Sequence, residues 1–439
     1  MTMQPYASRR ETALGALADG VAILPSARTI LRNGDSSYAF RQDSDFYYLT
    51  GFNEPDAVLV LAPERDGAKA VLFLRTRDRN MEVWNGARLG VERAAETLSI
   101  DEAYPIEEFE QRLPELLIGA TTLHYSFGAN EPVDRIVRNA LETARERTRR
   151  GGRSPYVVAE TSATLHPMRL RKGADELDIL RRACEITRAG HVAGMRATRP
   201  GAYEYAIQAT IENEYRRLGA ESIAYESIVA GGDNATVLHY VNNRDRLEDG
   251  QLLLVDSGCE LNYYATDVTR TWPVSGRFTA EQRALYEIVL AAQEAAIDRV
   301  RPGVPRNEFH DTAVRVIIEG LIDVGLLHGS VDENESSEAY REYYMHGTGH
   351  WLGLDVHDAG PYREDDDSPL RLGAGMITTV EPGIYVRRDS DAPERFKGIG
   401  IRIEDDILVT PEGNENLTAA IPKAIDDIES LVRDPTLAA

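Results

Sequence analysis

The chain has 439 residues, with 49 lysines and arginines against 72 aspartates and glutamates, which gives a formal net charge of −23. This length exceeds the size at which one hydrophobic core usually stops growing, so two domains are expected. The acidic balance opposes the basic surface that a nucleic-acid-binding protein needs, and it excludes DNA and RNA as partners.

The cysteines and the apolar segments indicate the compartment. Cys184 and Cys259 lack a second cysteine at the spacing of a zinc site or a redox motif, so both are expected to be reduced thiols. Residues 1–20 contain arginines but no apolar segment after them, and no stretch approaches the roughly 18 consecutive apolar residues of a membrane span. We therefore predict a soluble, cytoplasmic protein that does not bind a membrane.

The first part of the chain alternates short apolar runs with helical patterns. Runs at 21–24, 57–61 and 70–74 predict strands, and residues 132–145 predict a helix, which together are typical of an α/β domain. A segment with a proline and clustered positive charge near residue 170 precedes a long helical pattern. We place an N-terminal domain at 1–170 and a second domain at 171–439.

The second domain carries an internal repeat. The tripeptide Arg-Pro-Gly occurs at 199–201 and again at 301–303, each time between two helical patterns. The predicted helices that follow the two tripeptides cover 204–218 and 307–324. In both halves a histidine-bearing segment and two strands with carboxylates come next, which indicates a duplication. A duplicated unit would bring its carboxylates to a central cleft.

Two aspartates mark the first half. Residues 252–272 predict a β-hairpin with its turn near 260–262, and Asp256 and Asp267 lie in its two strands. Aspartate is depleted in strands, and a buried carboxylate costs several kcal/mol unless it is paired or bound to a cation. Asp256 alone could instead cap a turn, whereas Asp267 is expected in the middle of the second strand.

Three of the nine histidines, His346, His350 and His357, lie within residues 345–358. A single histidine is more often a hydrogen-bonded core or surface residue than a ligand. The spacing of His346 and His350 could suggest a helical zinc pair, but the glycines between and after them disfavour a helix. A glycine-rich extended segment that brings imidazoles close to a ligand fits better.

Glu381 and Glu404 again put carboxylates into β-type runs. Each could be an ordinary strand-end or turn residue when it is considered alone. Four carboxylates and one histidine in duplicated strands together predict a metal site. Such an oxygen-rich set suits Mn²⁺, with Co²⁺ or Zn²⁺ as alternatives.

Several phrases resemble one known family. They are VDSGCELNYYATDVTRTWPVSG from residue 255, HGTGHWLGLDVHD from 346, TVEPGIY from 379, GIRIEDDI from 400 and FRQDSDFYYLTGFNEPDAVLVL from 40. They resemble the Xaa-Pro aminopeptidases (aminopeptidase P) of the pita-bread metallopeptidases over nearly the whole chain. The resemblance implies an α/β (α+β) fold, with an N-terminal creatinase/prolidase-like α/β domain and a C-terminal duplicated pita-bread catalytic domain.

The resemblance also implies a metal set and a reaction. Two Mn²⁺ ions would be bridged by Asp267 and Glu404, with Asp256 completing one ion and His350 with Glu381 completing the other. A water shared by both ions would become hydroxide near neutral pH and attack the carbonyl that precedes proline. The substrates implied are peptides with proline at position 2.

Further residues take roles by the same resemblance. Glu381 would also accept a proton, and the oxyanion would be stabilised by His239. The remaining positions would contact the substrate or orient the ligands, namely His346, His357, Arg402, Tyr385, and, from the first domain, Trp84 and Asp35. The last two would reach the cleft from a neighbouring subunit, as in a homodimer or homotetramer.

Two alternatives stay open. Prolidase, an Xaa-Pro dipeptidase, has the same metal set and differs by accepting only dipeptides. A non-catalytic pita-bread module that binds peptides or histones would be of a different class, but such modules typically lose metal ligands, and all five positions are kept here. Creatinase shares the fold without these ligands.

Overall fold

The computed structural model describes residues 3–433, apart from 64, 66 and 68. These residues form two compact units, one ending at Arg169 and one beginning at Leu170. Each unit has its own hydrophobic core.

The first unit alternates helices and short strands. A 3₁₀ turn at Ile106–Glu108 lies among them. In chain order the elements are α1 Gln4–Leu17, β1 Val21–Pro25, β2 Leu31–Asn33, β3 Ser36–Ser37, α2 Ser44–Thr50, β4 Val58–Leu61, β5 Ala70–Leu74, α3 Arg79–Asn85, α4 Val91–Leu98, β6 Glu102–Pro105, α5 Phe109–Leu117, β7 Thr122–His124, α6 Glu131–Thr148, β8 Val157–Ala159 and α7 Ser162–Leu170.

Six of these strands form one mixed sheet, in the order β6-β5-β4-β1-β7-β8. Strand β1 is antiparallel to β4 and parallel to β7. The central strands read as continuous apolar runs because both of their faces are covered, and Val58–Leu61 and Ala70–Leu74 are buried throughout. The prediction of an α/β domain is confirmed.

The second unit contains the longest helices. Short 3₁₀ turns occur at Gly232–Thr236, Ala339–Glu342 and Glu394–Phe396. The elements are α8 Ala174–Ala197, α9 Glu204–Leu218, β9 Ser222–Ile223, β10 Ile228–Gly231, β11 Leu252–Asp256, β12 Cys259–Leu261, β13 Tyr264–Ala265, β14 Thr269–Pro273, α10 Ala280–Ile297, α11 Asn307–Asp323, α12 Val331–Ser336, β15 Ile377–Val380, β16 Gly383–Val386, β17 Ile399–Arg402, β18 Asp405–Val409, β19 Asn414–Asn416 and α13 Ile425–Arg433.

The two halves of this unit repeat the same arrangement. Each half packs a helix pair, α8 with α9 and α10 with α11. The glycine that ends each Arg-Pro-Gly tripeptide makes an equivalent hydrogen bond. Gly201 N–H donates to Leu247 O in the first half, and Gly303 N–H donates to Leu372 O in the second. Both glycines have positive φ, which most other residues avoid. The duplicated fold is confirmed.

Each half also contains a hairpin that is broken between two sheets. In the first half β11 pairs with β14, while β12 pairs with β13 beyond the break. In the second half β15 pairs with β18, while β16 pairs with β17. Both strands of each hairpin are interrupted, between β11 and β12, β13 and β14, β15 and β16, and β17 and β18. These four breaks occupy equivalent places in the two hairpins.

The buried face of helix α8 cannot be identified from side-chain hydrophobicity alone. An apolar stripe on this helix includes Ala189 and Ala193, but both are only half-buried. The neighbouring Gly190 and Gly194 are buried instead, and a Cβ on them would lie 2.3 Å from Tyr215 and 2.8 Å from Ile211 of α9. The close approach of the two helices selects glycine on this face.

Within the described residues, no helix has both the length and the apolar character needed to cross a membrane.

Candidate active site

The four carboxylates predicted as ligands lie at the breaks in the two hairpins. Asp256 is the last residue of β11, and Glu381 and Glu404 fall between strands. Asp267 also lies between strands, since β13 ends at Ala265 and β14 begins at Thr269, so its expected place in the middle of a strand is wrong. At a break the side chains no longer alternate between two sheet faces, and carboxylates can converge on one point.

Glycines allow the backbones to meet at these breaks. A Cβ on Gly258 would lie 1.7 Å from Thr266 O, and one on Gly349 would lie 1.9 Å from Thr379 O. Both distances are far inside van der Waals contact with backbone atoms. The glycines beside Asp256 and His350 are therefore required by close approach of the chain.

Asp267, His350 and Glu404 are arranged so that they could hold a metal ion. One ligand atom from each lies within 4.8 Å of the other two. His350 Nε2 is 3.3 Å from Asp267 Oδ2. All three side chains are largely withdrawn from solvent.

Asp256 and Glu381 adjoin this group. The hydroxyl of Tyr225 lies 2.6 Å from Asp256 Oδ1 and 2.5 Å from Asp267 Oδ1, so it joins the two aspartates. Glu381 Oε1 is 3.7 Å from His350 Nε2. The structure thus gathers all five residues that the sequence singles out into one cluster.

The orientation of His350 suits a metal ligand. Its Nδ1 lies 3.0 Å from the carbonyl oxygen of Trp351, to which a protonated Nδ1 donates. This bond fixes the tautomer and leaves Nε2 facing the carboxylates, as in many metal-binding histidines. Hydrogen bonds between the backbone of His350 and Thr379 hold the segment against β15.

The cluster has an excess of negative charge. Burial, followed by the charges of neighbouring carboxylates, raises the pKa of Asp267 and of Glu404. Burial alone would lower the pKa of His350, but the hydrogen bond and charge of Asp267 raise it to about 9. The site therefore attracts positive charge.

Arg402 connects the two halves of the cluster. Its Nη2 donates to Asp256 Oδ2 over 2.5 Å, and its Nη1 donates to the hydroxyl of Tyr385 over 3.0 Å. Its Nε donates to Thr269 Oγ1, which in turn donates to Glu404 Oε2 over 2.6 Å. Arg402 therefore orients two carboxylates from different hairpins.

The other histidines border the cluster in different ways. His346 Nε2 lies 2.8 Å from the Tyr385 hydroxyl, and burial, followed by the charge of Arg402, lowers its pKa to about 4. The His357 ring packs on the His350 ring at 4.1 Å between centroids. His239 is exposed and close enough to contribute to the lowered pKa values of His346 and His357.

The two candidates from the first unit are exposed there. Asp35 lies in the turn between β2 and β3. Trp84 is 84% exposed on α3, a helix that buries none of its side chains.

Three polar residues at the cluster escaped the sequence analysis. Thr269 follows Asp267 by two residues, and Thr379 precedes Glu381 by two, so the spacing of side chains along an extended chain could have indicated both. Tyr225 lies far from the aspartates in sequence and carries no local signal. Its contact depends on how β10 is placed beside β11.

Comparison with known proteins agrees with this geometry. Residues 178–411 match metallopeptidase family M24, and residues 6–132 match the aminopeptidase P N-terminal domain. The chain is 47% identical to the Xaa-Pro aminopeptidase of Haemophilus influenzae over 91% of its length and 90% of that protein. It is 43% identical to the Xaa-Pro aminopeptidase of Escherichia coli over 98% of both chains.

Solved structures show the same fold. Aminopeptidase PepP from Pseudomonas aeruginosa superimposes with a TM-score of 0.96 at 44% identity, over 98% of both chains. Zinc-substituted Escherichia coli aminopeptidase P in complex with product gives a TM-score of 0.94 at 42% identity, also over 98% of both chains. The chain therefore belongs to metallopeptidase family M24, with the domain composition of the aminopeptidase P group.

Proposed function

We propose that this chain is an Xaa-Pro aminopeptidase, which hydrolyses the bond after the N-terminal residue of peptides with proline at position 2. The observation that carries the proposal is the buried cluster of Asp267, His350 and Glu404 in a chain similar to Xaa-Pro aminopeptidases over nearly its full length. The same similarity favours this function over that of a prolidase. We assign the N-terminal domain to residues 1–170 and the catalytic domain to 171–439.

We propose that two divalent ions are held by Asp256, Asp267, His350, Glu381 and Glu404. The four carboxylates outnumber their guanidinium neighbour Arg402, which pairs with Asp256, and the net negative charge that remains would favour the binding of divalent cations. The hard oxygen donors and single imidazole suit Mn²⁺, with Co²⁺ or Zn²⁺ as alternatives. When bound, such ions lower the pKa of water and thereby supply a nucleophile near neutral pH.

The side chains of the cluster would move the proton. Glu381 accepts the proton of the nucleophile at a carboxylate oxygen and returns it to the proline nitrogen as that nitrogen leaves. Its Oε1 lies 3.7 Å from His350 Nε2, so this carboxylate adjoins the cluster. Arg402 and Tyr385 hold the other carboxylates in place, and their mutual hydrogen bond supports that role.

Histidines at the border would contact the substrate. His239 donates a hydrogen bond to the oxyanion that develops from the scissile carbonyl. His357 and His346 face the same region and contact the peptide near the bond that is cleaved. Burial lowers the pKa of both, so both rings are neutral. The ring nitrogens of His346 are engaged by Gly347 O and the Tyr385 hydroxyl, so the nitrogen that donates to or accepts from the peptide belongs to His357.

We further propose that the protein acts as a homodimer or homotetramer in the cytoplasm. Exposed apolar side chains on the first unit, including Ile30, Leu31 and Trp84, support self-association. Trp84 and Asp35 would then act on the substrate of a neighbouring subunit. Cys184 and Cys259 are buried thiols, as a reducing compartment allows.

The test compares peptides in the presence of Mn²⁺. We expect Arg-Pro-Pro to release arginine, and Arg-Ala-Pro, which differs only at position 2, to remain intact. Cleavage of Gly-Pro but not of the tripeptide would identify a prolidase instead. If the reconstituted protein bound no Mn²⁺, Co²⁺ or Zn²⁺ and cleaved no peptide, a peptide-binding module would be the better account.

A further inference from the structure

His239 lies on a long segment with little regular structure. Between β10 and β11 the chain forms one 3₁₀ turn, Gly232–Thr236, and then runs irregularly to residue 251. Long irregular segments in compact domains are commonly functional, and they need specific anchors to adopt one conformation. The anchors of this segment are therefore candidates for residues that set the position of His239.

Burial alternates along residues 237–241. Leu238 and Tyr240 pack against the cluster that contains Ile228 and Tyr385. Val237, His239 and Val241 are exposed on the other side. Tyr240 is therefore packed inward directly beside the exposed His239, and the backbone that carries His239 depends on how Tyr240 is held.

The anchor of Tyr240 is the carboxylate of Glu204. Glu204 is 0% exposed and lies at the first turn of α9. Its Oε2 accepts hydrogen bonds from the Tyr240 hydroxyl at 2.8 Å and from Asp245 N–H at 2.9 Å. Its Oε1 accepts from Gly231 N–H at 2.8 Å and from Asn234 Nδ2 at 3.0 Å.

These four donors lie along the segment between Gly231 and Asp245. Gly231 precedes it, Asn234 lies in the 3₁₀ turn, and Tyr240 follows His239 directly. All four donor groups are neutral, and four hydrogen bonds to the charged form offset the cost of burying a carboxylate. One side chain thus joins the start of the segment, its 3₁₀ turn, Tyr240 and Asp245.

A second anchor holds the end of the segment without Glu204. Asn243 accepts from Val229 N–H at 3.0 Å and donates to Ser227 O at 2.7 Å. Further along the segment, Leu247 N–H donates to Ala202 O, and Leu247 O accepts from Gly201 N–H. Loss of Glu204 would therefore release the part around His239 while the segment stays attached at its end.

We propose that Glu204 is a positioning residue for His239 and that it acts through Tyr240. The inference rests on the proposed function, in which His239 stabilises the oxyanion. Among the described residues, the hydrogen bonds of the Glu204 carboxylate go to this segment and none goes to the carboxylate cluster. The effect of Glu204 should therefore appear in kcat and not in metal binding.

The first experiment measures kcat, KM and Mn²⁺ content for Glu204→Gln. Glutamine keeps the size of the side chain, but its amide nitrogen cannot accept the hydrogen bonds of two donors. We expect kcat to fall roughly 10- to 100-fold, as for a displaced catalytic group, with KM and Mn²⁺ content unchanged. Amide hydrogen exchange should increase at residues 234–245, which reports the release independently of turnover.

Tyr240→Phe removes only one of the four bonds and should lower kcat by a smaller factor. If Glu204→Gln does not fold, Tyr240→Phe takes its place in the same measurements. The matched control is Tyr205→Phe, which changes an exposed tyrosine on the same helix and should leave kcat unchanged.

The decisive measurement combines Glu204→Gln with His239→Ala. If Glu204 acts through His239, the double variant has the kcat of His239→Ala alone. Multiplying effects, or wild-type kcat in Glu204→Gln, would overturn the inference and leave the proposed function standing. Wild-type kcat in His239→Ala would instead remove the proposed role of His239, and the inference with it.

Discussion

Arg402 and Asp256 form a buried ion pair over 2.5 Å that joins the hairpins of the two duplicated halves. The residues are 146 positions apart in the chain. The same guanidinium also reaches Thr269 and Tyr385. The position of a proposed metal ligand in one half therefore depends on a side chain from the other.

Replacement of Arg402 by Met should weaken metal binding. Asp256 would lose the donor that orients it, and changes to such outer partners typically cost 10- to 100-fold in metal affinity. Calorimetric titration with Mn²⁺ measures the change in Kd. The control is Arg387→Met, an exposed arginine just after β16, and equal Kd values in the two variants would contradict the prediction.

Asp267→Asn should abolish turnover and also reduce the stabilisation that Mn²⁺ provides. Asparagine matches aspartate in size but removes one charge from a site where burial, followed by the charge of Asp256, raises the pKa of Asp267. With a chelator present we expect a higher Tm than that of the wild type, and with Mn²⁺ a much smaller increase in Tm. Thermal unfolding with and without Mn²⁺ gives both values.

The control for that variant is Asp367→Asn, whose side chain is 85% exposed. It should respond to Mn²⁺ as the wild type does. An equal Mn²⁺-induced rise in Tm for Asp267→Asn and the wild type would argue against a metal at Asp267.

Glu381→Ala should also lose turnover while it keeps its circular dichroism spectrum.

The buried pair of Lys172 and Asp358 should show strong coupling in stability. Lys172 Nζ lies 2.8 Å from Asp358 Oδ2, and both side chains are 1% exposed. Lys172→Met should cost about 3 to 5 kcal/mol, because the Asp358 carboxylate stays buried without that cation. The double variant with Asp358→Leu should recover most of the loss in urea unfolding.

An exposed pair provides the contrast. Arg315 and Asp332 are 3.2 Å apart with both side chains largely in solvent, so breaking their ion pair should leave stability unchanged within error. Strictly additive effects of the two changes at Lys172 and Asp358 would show that the buried ion pair is not coupled.

His191 should make the protein less stable in acid. Burial lowers its pKa from the usual 6.5 to about 4, while Nε2 donates to Ser257 O over 2.9 Å. Between these pH values the unfolded chain binds a proton that the folded chain does not, so stability falls as pH falls. The full effect is roughly 3 kcal/mol.

Urea unfolding at pH 4 to 7.5 gives the free energy of unfolding as a function of pH for the wild type and for His191→Met. The difference between the two curves is the contribution of His191. The curve of His191→Met should be flatter over that range. His328→Met changes an exposed histidine and should keep the slope of the wild type. Parallel curves for the wild type and His191→Met would show that the burial of His191 does not cause the loss of stability in acid.

Local patterns were sufficient for the helices and for the duplication. Helix α9 covers the predicted residues 204–218, and α11, Asn307–Asp323, covers the predicted 307–324 to within one residue. Periodicity and capping depend on neighbours within a few positions, so the sequence carries them directly. The strand breaks at Asp267 and Glu404 were missed because a break between two sheets arises from distant pairing partners.

By itself the sequence determined which residues are available for a metal site, because carboxylates beside apolar β-type runs and a repeated Arg-Pro-Gly phrase are visible in it directly. Only the tertiary structure decided how those residues act on one another. Tyr225 joins two aspartates, Arg402 joins two hairpins, and Glu204 holds the segment of His239. Each of these contacts links positions 30 or more residues apart, and hydrogen bonds of that range form only when packing brings the strands and helices together.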